Sequence, residues 1–175
     1  MRTITTTVYN FDELSDKAKE YACDYVREMW HDFYAWHNEN AESLKGFAKF
    51  LGGKCDWSVS LYRPSSAQVT DLPWYFTYTE DDEGYDVLTW MQDNKETILK
   101  CCPFTGFHMD EYLLDPMREY LDTPDDRTME QLIQEGCDNW VNQYVLDWEN
   151  CYTDEYITDF LQANEYEFTE GGAIA

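Results

Sequence analysis

Cationic side chains are what this sequence most lacks: 12 Lys and Arg stand against 36 Asp and Glu, giving a formal net charge of −24. Proteins that grip phosphate backbones use Lys and Arg to displace counterions, so direct binding of DNA or RNA is not expected. The same deficit speaks against an anionic membrane surface. No apolar run approaches the roughly 20 residues of a spanning helix. There are six cysteines (Cys23, Cys55, Cys101, Cys102, Cys137 and Cys151) but no Cys-x-x-Cys, so the usual zinc and redox spacings are missing. The Gly-x-Gly-x-x-Gly and P-loop patterns are absent, and the acidic segment 80–84 lacks the alternating spacing of a calcium loop. The three histidines, His31, His37 and His108, form no His-x-x-x-His pair. No motif joins a Cys or Ser nucleophile to a His. Neither a cofactor nor a metal is expected, and the chain is not read as an enzyme. No secretory leader precedes the strand-like opening Met1–Thr5, which leads to an expectation of cytoplasmic residence with reduced thiols.

Aromatic residues, by contrast, are abundant at 17%, within an apolar content of 43%. A disordered acidic tail carries few such residues, so this chain folds. Its 175 residues suit one domain over 1–170, followed by a frayed tail at 171–175. Thr, Ile and Val favour a strand over 2–9. Ser15, or Asp12 one turn earlier, is a suitable N-cap for a helix over 16–37, whose apolar stripe holds Ala18, Tyr21, Ala22, Tyr25, Val26, Met29, Trp30, Phe33 and Trp36 or His37. A second helix, 40–51, stops at Gly52-Gly53. Strands are expected at 55–62, 67–70 and 74–79, forming a small meander. Helices follow over 85–99, 109–122 (interrupted or kinked near Asp115-Pro116), 127–151 and 154–163, with an edge strand at 166–168. The order predicts an α+β fold, mainly helical with a small antiparallel sheet.

The charge is uneven. Residues 1–109 hold 18 acids and ten bases, whereas 110–170 hold 18 acids and two bases, Arg118 and Arg127. On the helix 127–151, Met129, Ile133, Gly136, Cys137, Trp140, Tyr144 and Cys151 cluster on one side at 100° per residue. Glu130, Glu135, Asp138 and Glu149 fall on the other. Asp122, Asp125 and Asp126 extend the acidic run at one end, and Asp154, Glu155 and Asp159 at the other. Carboxylates one helical turn apart lie about 5–6 Å from each other, a spacing comparable to phosphates along one DNA strand. These ten acids are the candidate partner-binding residues. An ordinary solvated surface kept soluble by charge is the competing reading. Asp147 lies between Tyr144 and Trp148 near the apolar side, where it is expected to pair with Arg118 or another base rather than act as a buried acid.

The run Val8–Ser15 followed by Ala18–Ala22 resembles small acidic proteins of unassigned function encoded by bacteriophages and prophages. The runs Cys102–Gly106, Asp115–Glu119 and Ala163–Thr169 resemble them too. The resemblance implies phage origin and residence in the host cytoplasm, and it brings no catalytic residues. In composition alone the chain is also similar to antirestriction and anti-CRISPR proteins that imitate DNA, although no motif is shared. The expectation is a phage-encoded anti-defence inhibitor. Its acidic face would occupy the groove of a basic nucleic-acid-binding host protein, with no nucleic acid or membrane bound directly. A homodimer is left open. The alternative is an interaction module that uses an aromatic patch, with Trp74, Tyr75 and Tyr78 as candidates and charge serving solubility. An enzyme comes third, a reading that stoichiometric zinc would revive.

Overall fold

The computed structural model describes residues 7–31, 37–76 and 87–175. The expected strand residues 2–6, the helix end at 32–36, the acidic loop 80–84 and Tyr78 lie outside the described residues. So do the side chain of His31 and Asp32. The fold is α+β and mainly helical, as expected. Its elements are β1 (Tyr9–Asn10), α1 (Asp16–His31), α2 (His37–Phe50), β2 (Lys54–Ser58), β3 (Ser66–Thr70), α3 (Val87–Asp93), α4 (Lys95–Leu99), α5 (Met109–Asp122), α6 (Met129–Cys151), α7 (Asp154–Ala163) and β4 (Glu167–Phe168). They divide into two compact units: Met1–Ala35 with Trp148–Ala175, and Trp36–Asp147.

In the first unit, Ser15 Oγ accepts the Ala18 N–H at 3.4 Å and opens α1 where the sequence placed its cap. Ala18, Ala22 and Val26, one turn apart, are buried with Cys23. Tyr21, Tyr25 and Met29 were expected on the same stripe but are about half exposed. Ala18, Ala22, Cys23 and Val26 form the side of α1 that meets the core, with half-buried Trp30 packed against it, and the stripe is narrower than its apolar content suggested. Thr153 caps α7 by accepting the Tyr156 N–H at 3.3 Å, which aims Ile157 and Leu161 at the same core. β1 and β4 pair antiparallel, Tyr9 with Phe168 and Asn10 with Glu167. Phe11 meets the Phe168 ring edge-on at 5.9 Å. The segment 171–175, expected to fray, folds back: Ile174 bridges to Phe168, and the Ala175 N–H donates to the Glu167 carbonyl at 2.9 Å. The return needs Gly172, at φ +88°, where any Cβ would lie 2.1 Å from the Ala18 carbonyl oxygen.

In the second unit, α2 buries Ala41, Leu44, Phe47 and Ala48 against α5 and β2. It ends where expected: Gly52 adopts φ +76°, and the Gly53 N–H returns to the Ala48 carbonyl at 2.9 Å. The sheet is a two-stranded hairpin, β2 with β3, in register from Lys54↔Thr70 to Ser58↔Ser66. Of the third strand, expected at 74–79, the described part, Trp74–Phe76, is a 3-10 turn closed by the Phe76 N–H on the Pro73 carbonyl at 3.0 Å, and 77–79 lie outside the described residues. The expected helix 85–99 is divided at Asn94, whose side chain donates to the Trp90 carbonyl at 2.9 Å. α5 runs without interruption through Pro116. The buried side of α6 is the one the wheel placed there, with Met129, Ile133, Cys137, Trp140 and Tyr144 all buried, and Leu132 joining them. α5 and α6 approach so closely that a Cβ on Gly136 would sit 2.4 Å from the Leu113 carbonyl oxygen.

Candidate partner-binding surface

Six of the ten candidate acids belong to the second unit. Asp122 closes α5, Asp125 and Asp126 lie in the turn before α6, and Glu130, Glu135 and Asp138 lie on α6. All are exposed except Glu135, which is intermediate. Placement near the start of α6 has a structural logic of its own, because negative charge complements the unpaired N–H groups of a helix N-terminus. Arg127 draws several of these acids together. It pairs with Asp125 at 2.9 Å and Glu135 at 2.7 Å, and lies 3.8 Å from Glu119. Asp138 accepts from the Gln134 amide at 2.8 Å, a neutral partner that leaves its charge in place. Among the described residues, Asp122, Asp126 and Glu130 meet no cation.

The other four, Glu149, Asp154, Glu155 and Asp159, belong to the first unit and are exposed. Asp154 pairs with Arg27, which also holds Asp24 at 2.6 Å. Asp154 and Glu155 fill the first turn of α7. Glu149, Glu155 and Asp159 have no cationic partner among the described residues. The ten acids are thus divided between two units, with four of them engaged locally: Asp125 and Glu135 by Arg127, Asp138 by Gln134, and Asp154 by Arg27.

Arg118, the other base of the acidic segment, is consumed in a knot of α5. Its Nε donates to the Ile98 carbonyl at 2.8 Å and Nη2 to the Lys100 carbonyl at 2.9 Å, while Nη1 reaches Glu111 and, at 3.2 Å, Asp115. The Glu111 carboxyl is held down to about 2 by that guanidinium, helped by the Cys102 N–H it accepts at 2.6 Å. The pairing expected for Asp147, with Arg118 or another base, is made with His108, Nε2 to Oδ2 at 3.0 Å, and the Gln143 amide donates to its other oxygen at 2.7 Å. His108 is therefore engaged with a carboxylate.

Among the described residues, one acid outside the ten candidates, Asp110, is buried. Asp110, fully buried, accepts the N–H groups of Phe104 and Thr105 at 2.8 Å each and the Thr105 hydroxyl at 3.0 Å. It organises the loop between α4 and α5 from within. Its signal, an acid just after a Pro-x-Thr-Gly turn, was present but hidden among 36 acids. The thiol of Cys137 is pushed up to about 12 by burial, which makes it inert, and burial likewise raises the Tyr144 hydroxyl.

No protein-family model, curated protein or solved structure matches this chain. Among the described residues, no helix is long and apolar enough to cross a membrane.

Proposed function

We propose that this chain is a phage-encoded inhibitor of a host nucleic-acid-binding defence protein, residing in the host cytoplasm. Its exposed carboxylates stand in for phosphates in the partner's basic groove, so it competes with DNA without catalysing a reaction. One observation carries the reading. Between residues 110 and 170 there are 18 acids and two arginines, and both arginines are engaged several times over. Among the described residues, Asp122, Asp126 and Glu130 are left without a cation. Like charges held on a folded surface oppose the compact state, so an uncompensated field has a cost that a purely solubilising surface need not carry.

The test begins with capture of partners from bacterial lysate, then measures displacement of labelled DNA from the captured protein. The intact chain is expected to displace DNA with an affinity that falls steeply between about 50 and 200 mM salt. The variant D122N/D126N/E130Q is expected to compete about tenfold less well, since each of three lost charge contacts contributes on the order of 0.5 kcal/mol at an exposed site. A partner without a basic groove, or competition indifferent to both salt and charge, overturns the proposal. The second reading, an aromatic interaction module, draws on Trp74, which is 67% exposed. It is the outcome if Trp74→Ala abolishes partner binding while the neutralised variant keeps it.

A further inference from the structure

Cys101 and Cys102 follow α4 at the surface of the second unit, with Cys101 exposed and Cys102 half-buried. Adjacent residues of an extended chain point to opposite sides. Here Cys102 adopts φ +44°, and the two sulfurs come to 3.7 Å from each other. That backbone runs against two local preferences: a side chain disfavours the left-handed region, and a residue before proline is pushed toward extended backbone. The surroundings hold it in place. The Cys102 N–H donates to Glu111 Oε1 at 2.6 Å, and its carbonyl accepts the Gly106 N–H at 3.1 Å. Strain that is held from both sides of a residue is a mark of sites that must present a side chain in one direction.

The 3.7 Å separation has a second meaning. Two sulfurs bound at about 2.3 Å to one tetrahedral ion lie about 3.8 Å apart. A carboxylate oxygen of Glu111 joins them, with all three ligand atoms within 4.8 Å of one another. We propose that Cys101, Cys102 and Glu111 form a binding site for a single thiophilic divalent cation, zinc in the first instance, with solvent as fourth ligand on the exposed side. Sulfur ligands select such ions over magnesium and calcium. On binding, the two thiols release their protons to solvent and become thiolates. The charges then balance: two thiolates and one carboxylate offset the divalent ion together with the Arg118 guanidinium, which pairs with Glu111 Oε2. The site is independent of the proposed inhibition and includes none of the carboxylates used there.

The experiment titrates the full reduced chain with cadmium, then competes with zinc. Carboxylates on so acidic a surface will take up cadmium without any sulfur, so the readout is the ultraviolet sulfur-to-cadmium charge-transfer band. One equivalent of cadmium is expected to develop that band in the intact chain, and zinc to abolish it. C101S and C102S are each expected to lose about half of the band or more and to weaken binding about tenfold. Cys101 is exposed, so C101S does not put the fold at risk. E111Q is expected to weaken binding while keeping the band. C55S serves as a control and is expected to behave as the intact chain. A missing band in the intact chain, an undiminished band in C101S/C102S, or air oxidation of the pair to a disulfide with no ion bound each overturns the site.

Discussion

Arg118 divides one guanidinium among four acceptors, the carbonyls of Ile98 and Lys100 and the carboxylates of Glu111 and Asp115. Lysine, with a point charge, cannot reproduce that fork. The consequence is readable at Glu111, whose carboxyl is held at about 2, below the usual carboxylate range. A group more acidic folded than unfolded adds stability above its unfolded value, and that stability is lost as pH falls through the folded one. E111Q is expected to lower stability at pH 7 by about 1–2 kcal/mol, a figure reduced for the pair's partial exposure. The difference from the intact chain should shrink between about pH 4.5 and pH 2, as urea midpoints across that range will show. Pairings of this kind were the least legible part of the sequence. Asp147 was placed correctly at the edge of the apolar side, yet its partner is His108 rather than Arg118, because the loop before α5 decides which base arrives. Glu111 and Cys102 are nine positions apart across a turn held by buried Asp110, and no helical or strand period connects them.

Helices with a clean period were legible almost to their ends, since Ser15, Gly52-Gly53 and the stripe of α6 carry recognisable physics. The misreadings have local causes. Trp74, Tyr75 and Phe76 look like strand residues by propensity, but Pro73 fixes the backbone before them and its carbonyl closes a 3-10 turn. Asn94 sits inside an apolar period, yet its amide takes the Trp90 carbonyl and ends α3. Gly136 was placed on the buried side of α6 by its angle alone, while its purpose is the absence of a side chain. An added Cβ would lie 2.4 Å from the Leu113 carbonyl oxygen, which is backbone and cannot turn away. Gly136→Ala raises helix propensity but overpacks this crossing. It is expected to cost about 1–3 kcal/mol, measurable as a lower denaturant midpoint with an unchanged slope.

Over the whole chain the net charge of −24 sets the response to ions. Raising salt from about 10 to 150 mM shortens the screening length from roughly 30 to 8 Å, relieving repulsion between exposed acids. The melting temperature is expected to rise by about 2–4 °C, corresponding to about 1 kcal/mol, and calorimetry at the two ionic strengths checks it. A decrease would mean that internal ion pairs dominate over repulsion. The charge density behind the proposed function was fully legible, because it is a count. Its division between two units was not, since that depends on where Tyr9 finds Phe168.

That long-range pairing also sets an order of events on the ribosome. Trp36–Asp147 emerges as one uninterrupted stretch, and its hairpin and helices can close while translation continues. α1 has no such option, because Ile157, Leu161 and Phe168, which share its core with Ala22 and Val26, are made more than 120 residues later. At about 5–20 residues per second the nascent chain displays that bare helix face for on the order of ten seconds before its covering arrives. A chain released early, short of α7, therefore keeps a finished middle and a sticky front end, the form that chaperones and proteases are equipped to remove.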